Sequence, residues 1–206
     1  MRQQHTDDII KFLTAYIEPV DDNVYGVGYR AAVYLKDGTF LPCVIFRNPT
    51  TMVNLAIRRF KEEQTQKNIF GRPSARGYYT VVKSFVTTGN CINARDIDRV
   101  EKSRFAFPLP IQSQIRGETT MGWTGFAARM KDGTYIGFGT TSHWDFFEMP
   151  DGYSVDDIEE IIPHSYVLKT GELRSHRASS FEPSGAYKDA VIYRERPFFD
   201  CFIDNL

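Results

Sequence analysis

The sequence predicts an α+β fold, mainly β, made of two related small β units, with a helix inserted in the first and a short helix ahead of it. Three observations predict it. Residues Ala127 to Ile162 read as two strands joined at Lys131-Asp132-Gly133-Thr134, a third strand, a turn at Asp151-Gly152, and a closing Asp157-Ile158-x-x-Ile161 strand. A looser version occurs earlier, with Ala32 to Phe46 as its hairpin and Asp96-Ile97-x-x-Val100 as its closure. Finally, 206 residues that are 42% hydrophobic and 14% aromatic can bury a core, in one domain of ordinary size or two small ones.

The elements follow in order. Thr6 can cap a short helix, with Asp7 and Asp8 near the positive end of its dipole. Ile9, Ile10, Phe12, Leu13 and Tyr16 supply its apolar stripe. Asp21-Asp22-Asn23 breaks that pattern, and Val24 to Leu35 follows as strand. Lys36-Asp37-Gly38 marks a tight turn, because glycine accepts the positive φ of such hairpins. Thr39 to Phe46 returns, and Pro42 argues for an edge position or a bulge.

Asn48-Pro49 opens the inserted helix, predicted over 49–64, with Asn as cap and Pro where no amide is needed. Met52, Leu55, Ala56 and Phe60 share one face. Tyr78 to Val86 is strand-like, and Cys91-Ile92-Asn93 leads into the first closure. Pro108 and Pro110 mark a linker, so the predicted units are 1–110 and 111–206. Met121 to Met130 and Thr134 to Thr140 form the second hairpin, and Trp144 to Met149 the third strand. Beyond Pro163, Ser165 to Lys169 reads as strand turned at Thr170-Gly171-Glu172. Tyr187 to Tyr193 reads as another strand. The tail, with Phe198, Phe199 and Phe202, is too apolar to remain free and is expected to dock on its own core or across a dimer interface.

Strand, Asp-Gly turn, strand, third strand, Gly turn and Asp-Ile-x-x-Ile closure resembles the order of SH3-like small barrels, particularly Sm-like ones. The residues that carry the likeness are Met130 to Thr134, Phe146-Phe147, Asp151-Gly152 and Asp157 to Ile161, and, in the first copy, Leu35 to Thr39, Phe85, Gly89 and Asp96 to Val100. The resemblance implies fold alone, because no residue here matches the Sm family's RNA contacts.

Little in the sequence points to catalysis. HExxH, GxSxG, Walker A and GxGxxG motifs are absent, and Gly137-x-Gly139 sits inside a predicted strand where close backbone approach explains it. Cys43, Cys91 and Cys201 are distant and odd in number, which favours reduced thiols over a disulfide framework or a zinc site. His143 and Asp145 would project to one face of a continuous strand, so a small hydrolase using that pair is the third reading of function. No cofactor and no metal is expected.

Charge is divided: the first half is net basic and the second net acidic. Arg47, Arg58, Arg59, Lys61, Lys67, Arg72 and Arg76 cluster in one segment, and Asp145 to Glu160 holds seven acids and no base. Two solvated faces explain this, and so does an anionic partner. Arg58, Arg59, Lys61, Arg72 and Arg76, beside Tyr78, would clamp a single-stranded nucleic acid. The leading expectation is a non-enzymatic adaptor in a bacterial-type cytoplasm. It would contact a protein partner or a second copy of itself, with Trp144, Phe146, Phe198 and Phe199 as anchors. Early charges in Met1 to Tyr16 and the lack of a long apolar run predict neither leader nor membrane span.

Overall fold

The computed structural model describes residues 2–22, 25–65, 90–115, 117–141, 143–176 and 188–206. It is mainly β, and among the described residues no sheet closes into a barrel. No described helix is long and apolar enough to cross a membrane. The chain divides into two compact units, residues 1–102 with 198–206, and residues 103–197. The division therefore falls before Pro108 rather than near residue 110, and the tail returns to the first unit. Pro108 and Pro110 instead open a single helical turn, Leu109–Gln112, where proline's fixed φ is compatible with helix.

In the first unit, helix α1 (Arg2–Tyr16) precedes strands β1 (Pro19–Asp22), β2 (Gly26–Leu35) and β3 (Phe40–Arg47), then helix α2 (Pro49–Thr65). Strands β4 (Cys91–Ile92) and β5 (Ile97–Lys102) follow. Helix α1 begins ahead of Thr6, so Thr6 is not its cap; the extra turn is tied down where His5 Nε2 meets the Ile97 carbonyl at 2.9 Å. Ile9 and Leu13 bury the predicted stripe, while Tyr16 stays exposed. Asp21 and Asp22, expected to break the pattern, belong instead to the strand Pro19–Asp22, which runs antiparallel to β2. Pro42 lies in a bulge: Val33 faces Leu41 while Ala31 faces Val44, so β3 carries one extra residue. Asn48 caps α2, its Oδ1 accepting from the Thr50 amide at 2.9 Å.

The second unit holds β6 (Thr124–Met130), β7 (Tyr135–Thr140), β8 (Ile158–Pro163), β9 (Ser165–Leu168), β10 (Leu173–Ser175), β11 (Ala190–Val191) and β12 (Tyr193–Arg194). Strand β13 (Phe199–Phe202) returns to the first unit. Trp144 to Met149 is not a regular strand. It makes only isolated bridges, Ala106 to Phe146 and Phe147 to Glu195, because the outer edge of β7 is taken by β12, in parallel. The tail docks within its own chain: β13 lies between β3 and β4, parallel to both. The expected strand over Tyr78 to Val86 lies outside the described residues.

One local arrangement recurs, and not twice but three times. The amides of Leu35, Met130 and Leu168 donate to the carbonyls of Thr39, Thr134 and Glu172 at 2.8, 2.8 and 2.9 Å. Gly38, Gly133 and Gly171 donate back to Leu35, Met130 and Leu168, with φ of 88°, 86° and 83°. This is the three-residue hairpin loop whose last residue must be left-handed. The next residue of each loop then holds the closing strand. Lys36, Lys131 and Lys169 donate to the carbonyls of Asp96, Asp157 and Asp189 at 2.8, 2.9 and 2.7 Å. The residue after each Asp pairs with the strand end: Ile97 with Leu35, Ile158 with Met130, Ala190 with Leu168. The two predicted copies also share a one-residue slip at that point.

The cores differ in kind. The first packs α1 through Ile9, Leu13 and Ile17 onto Ala31, Val33, Val44, Phe46, Ile97, Cys201 and Ile203. The second gathers Phe107, Phe126, Phe138 and Phe147, with ring centroids 4.7 to 6.2 Å apart. Offset and edge contacts of this kind add to the gain from burial. Gly137 and Gly139 serve close approach, as read from the sequence. A side chain at Gly137 would meet the Val191 carbonyl at 2.6 Å, and one at Gly139 would strike the Trp123 ring at 2.1 Å.

Gly38→Ala, Gly133→Ala and Gly171→Ala are each expected to cost on the order of 1–2 kcal/mol, the strain of a left-handed residue with a Cβ. Urea unfolding measures it. Gly139→Ala, at φ values open to alanine, should cost more through the Trp123 clash.

Candidate functional site

The surface best equipped to meet a partner is built on α2. Its sequence alternates so that Leu55 and Ala56 are buried, while Thr50, Val53, Asn54, Ile57, Arg58 and Lys61 are exposed. Val53 and Ile57 are 52% and 47% exposed and sit one turn apart, so two branched apolar side chains share the outward face with two bases. Leu55 and Ala56 of the predicted stripe face inward, and the outward apolar pair is what sequence reasoning missed. Its signal was available as the four-residue spacing of Val53 and Ile57.

The other predicted residues scatter. Arg58 and Lys61 lie exposed on α2, and Arg59 belongs to the same helix. Arg72, Arg76 and Tyr78 lie outside the described residues. Arg47, at the start of the basic segment, is buried. It reaches Asp200 at 3.8 Å, donates to the Gly26 carbonyl at 3.3 Å and stands 5.5 Å from the Tyr25 ring, all structural contacts. Phe146 is 1% exposed and belongs to the core of the second unit, so its ring presents no anchor on that unit's surface. Trp144 is half-buried, its carbonyl accepting from Gln112 Nε2 at 2.9 Å. Phe198 is half-buried and Phe199 is 38% exposed, on the docked tail.

The condition for a His143–Asp145 pair was a continuous strand, and residues 143–145 are not strand. His143 is fixed instead through its backbone, which exchanges hydrogen bonds with the Thr140 hydroxyl at 2.7 and 3.1 Å. Among the described residues, no group of three or more His, Cys, Asp or Glu side chains could hold a metal ion. Cys43 and Cys201 are buried free thiols and Cys91 is exposed. Burial, then the neighbouring Cys91 and Asp200, push the Cys201 thiol up to about 12, which leaves it unreactive.

The acidic stretch of the second unit is partly answered from within. Arg129 reaches Glu159 and Glu160, Arg104 reaches Asp151, and Arg196 pairs with Glu148. The exposed pairs among these contribute little individually. At the hairpin end, the Tyr153 hydroxyl donates to Asp132 at 2.7 Å and holds its carboxyl below the ordinary Asp pKa, helped by the Thr134 amide. Ser154 does the same for Asp157 through its hydroxyl and its amide, at 2.8 and 2.7 Å.

No family model, curated protein or solved structure matches this chain.

Because both carboxylates titrate below the ordinary Asp value of 3.8, the stability they confer is full above that value and is lost as pH falls through their lowered range. In Tyr153→Phe, Asp132 loses its largest stabilising contact. Its side-chain NMR titration midpoint should then move up toward 3.8, with that of Asp157 little changed.

Proposed function

We propose that this chain is a non-enzymatic binding module built on two related SH3-like β units, and that it works by protein–protein contact through the outward face of α2. The observation that carries the reading is the exposed Val53–Ile57 pair flanked by Arg58 and Lys61. An apolar centre with a charged margin is the usual anatomy of a contact surface, and a few desolvated side chains dominate its energy. The fitting partner offers an apolar seat with an acidic rim.

The hairpin and closing strand common to both units support the SH3-like description. The parallel additions of β12 and β13 are departures from it. Helix α2 stands in the first unit between hairpin and closure, whereas the second unit has residues 141–157 at that place, with no α-helix among those described. An element that differs between two otherwise similar frames is free to carry a function that the frame does not need.

A single-stranded nucleic acid is the second reading, favoured by the exposure of Arg58 and Lys61 on one helix. The two readings separate in one set of binding measurements. Partners captured by the full chain should lose about tenfold or more in retention with Val53→Asp/Ile57→Asp, the scale of losing one hot spot. Circular dichroism should remain unchanged, since both positions are exposed. Equal retention by that variant contradicts the protein reading. Labelled single-stranded RNA that binds the full chain, weakens steeply with salt and is lost in Arg58→Glu/Lys61→Glu supports the second.

A further inference from the structure

Strand β13 is held in the first unit as a peptide ligand is held. It arrives only after the whole of residues 103–197, and it runs parallel to both of its neighbours, so no hairpin ties it to either. Its main chain is engaged on both edges. Phe199 to Phe202 pair with Val44 to Arg47 on one side, and Asp200 and Cys201 pair with Cys91 and Ile92 on the other. The Asp200 amide donates to the Asn90 carbonyl at 3.1 Å, and the Ile203 amide donates to the Arg47 carbonyl at 3.0 Å.

Side chains then alternate as specificity elements do. Cys201 and Ile203 enter the core beneath α1, at 0% and 2% exposure. On the opposite face Asp200 meets Arg47 at 3.8 Å and accepts from Asn90 Nδ2 at 3.3 Å, with both members of the ion pair largely removed from water. Asn48 Nδ2 reaches the Leu206 carbonyl at 3.4 Å at the far end. Main-chain bonding on two edges, with pockets for alternate side chains, is the physics of strand addition.

We propose that the cleft between β3 and β4 is a peptide-binding groove, which the chain closes with its own residues 198–204. In trans it takes an extended peptide of the same chemistry: an acid for Arg47, then a small apolar residue for the Cys201 seat, and two positions later a branched apolar residue for the Ile203 seat. The tail is thus an autoinhibitory strand. This assignment concerns a different surface from α2 and stands independently of it.

The test uses the full chain and a fluorescent synthetic peptide of residues 197–206. Ile203→Asp places a charge in the core seat and disfavours the chain's own tail, and Asp200→Lys opposes Arg47 without entering that core. In both variants amide exchange at Val44 to Arg47 should quicken. The wild-type peptide should restore protection there and bind each variant at least tenfold more tightly than it binds the wild-type chain. A peptide carrying Lys at the position of Asp200 should bind at least tenfold more weakly. Binding of the wild-type peptide no tighter than a scrambled one, to either variant, overturns the proposal. So does a wild-type chain that exchanges tails into dimers that the peptide fails to compete, since the groove would then belong to a second copy.

Discussion

The fold depends on one backbone hydrogen bond, from the first residue of a hairpin loop to the carbonyl that precedes a closing strand. It runs from Lys36 to Asp96, from Lys131 to Asp157 and from Lys169 to Asp189, within a spread of 2.7 to 2.9 Å. A hairpin alone is at best marginally stable in water, and a third strand is what makes the group persist. Here the loop amide would otherwise point to solvent, and it instead selects where the third strand begins. Glycine at the loop end makes this possible, because its left-handed φ turns the chain within three residues. Side chains reinforce the join differently each time. Lys36 Nζ donates to the Arg95 carbonyl at 2.5 Å, while Lys169 Nζ stands 3.5 Å from Asp189.

Once that frame is set, the two units diverge in what they pack on it. The first covers its sheet with α1 and fills a gap between β3 and β4 with the tail. The second stacks phenylalanines, and crosses its own backbone over Gly137 at a distance no side chain would allow. Phe146 and Phe147 illustrate the consequence for function. Adjacent aromatics look like contact residues in a sequence, yet both are buried by short bridges to residues 106 and 195. Val53 and Ile57, on the helix inserted in the first unit, stay outward instead.

Much of the frame was legible in the sequence, because it is written in local signals. Lys-Asp-Gly-Thr specifies the loop, Asp-Ile the closure, Asn48-Pro49 the start of α2, and Pro42 the bulge. The third frame was missed because Leu168-Lys169-Thr170-Gly171-Glu172 keeps only leucine, lysine and glycine of the pattern, and its closure reads Asp189-Ala190. Long-range choices were less legible. Nothing local says that β12 rather than residues 144–149 takes the edge of β7, or that the tail inserts beside β3, since parallel pairing leaves no turn to read. Arg58 and Lys61, read from the sequence as part of a basic cluster, are exposed on α2. Phe146 was not identified as core, because apolarity alone does not distinguish an anchor from a buried ring.

The most direct test of this account is residue-resolved amide hydrogen exchange on this 206-residue chain, followed at Lys36, Lys131 and Lys169. If the loop-to-closure bond is the constraint on which each frame depends, all three amides exchange slowly, as slowly as Leu35, Met130 and Leu168 beside them. Exchange of the three lysine amides at the rate of open chain, while the neighbouring strand amides stay protected, would contradict it.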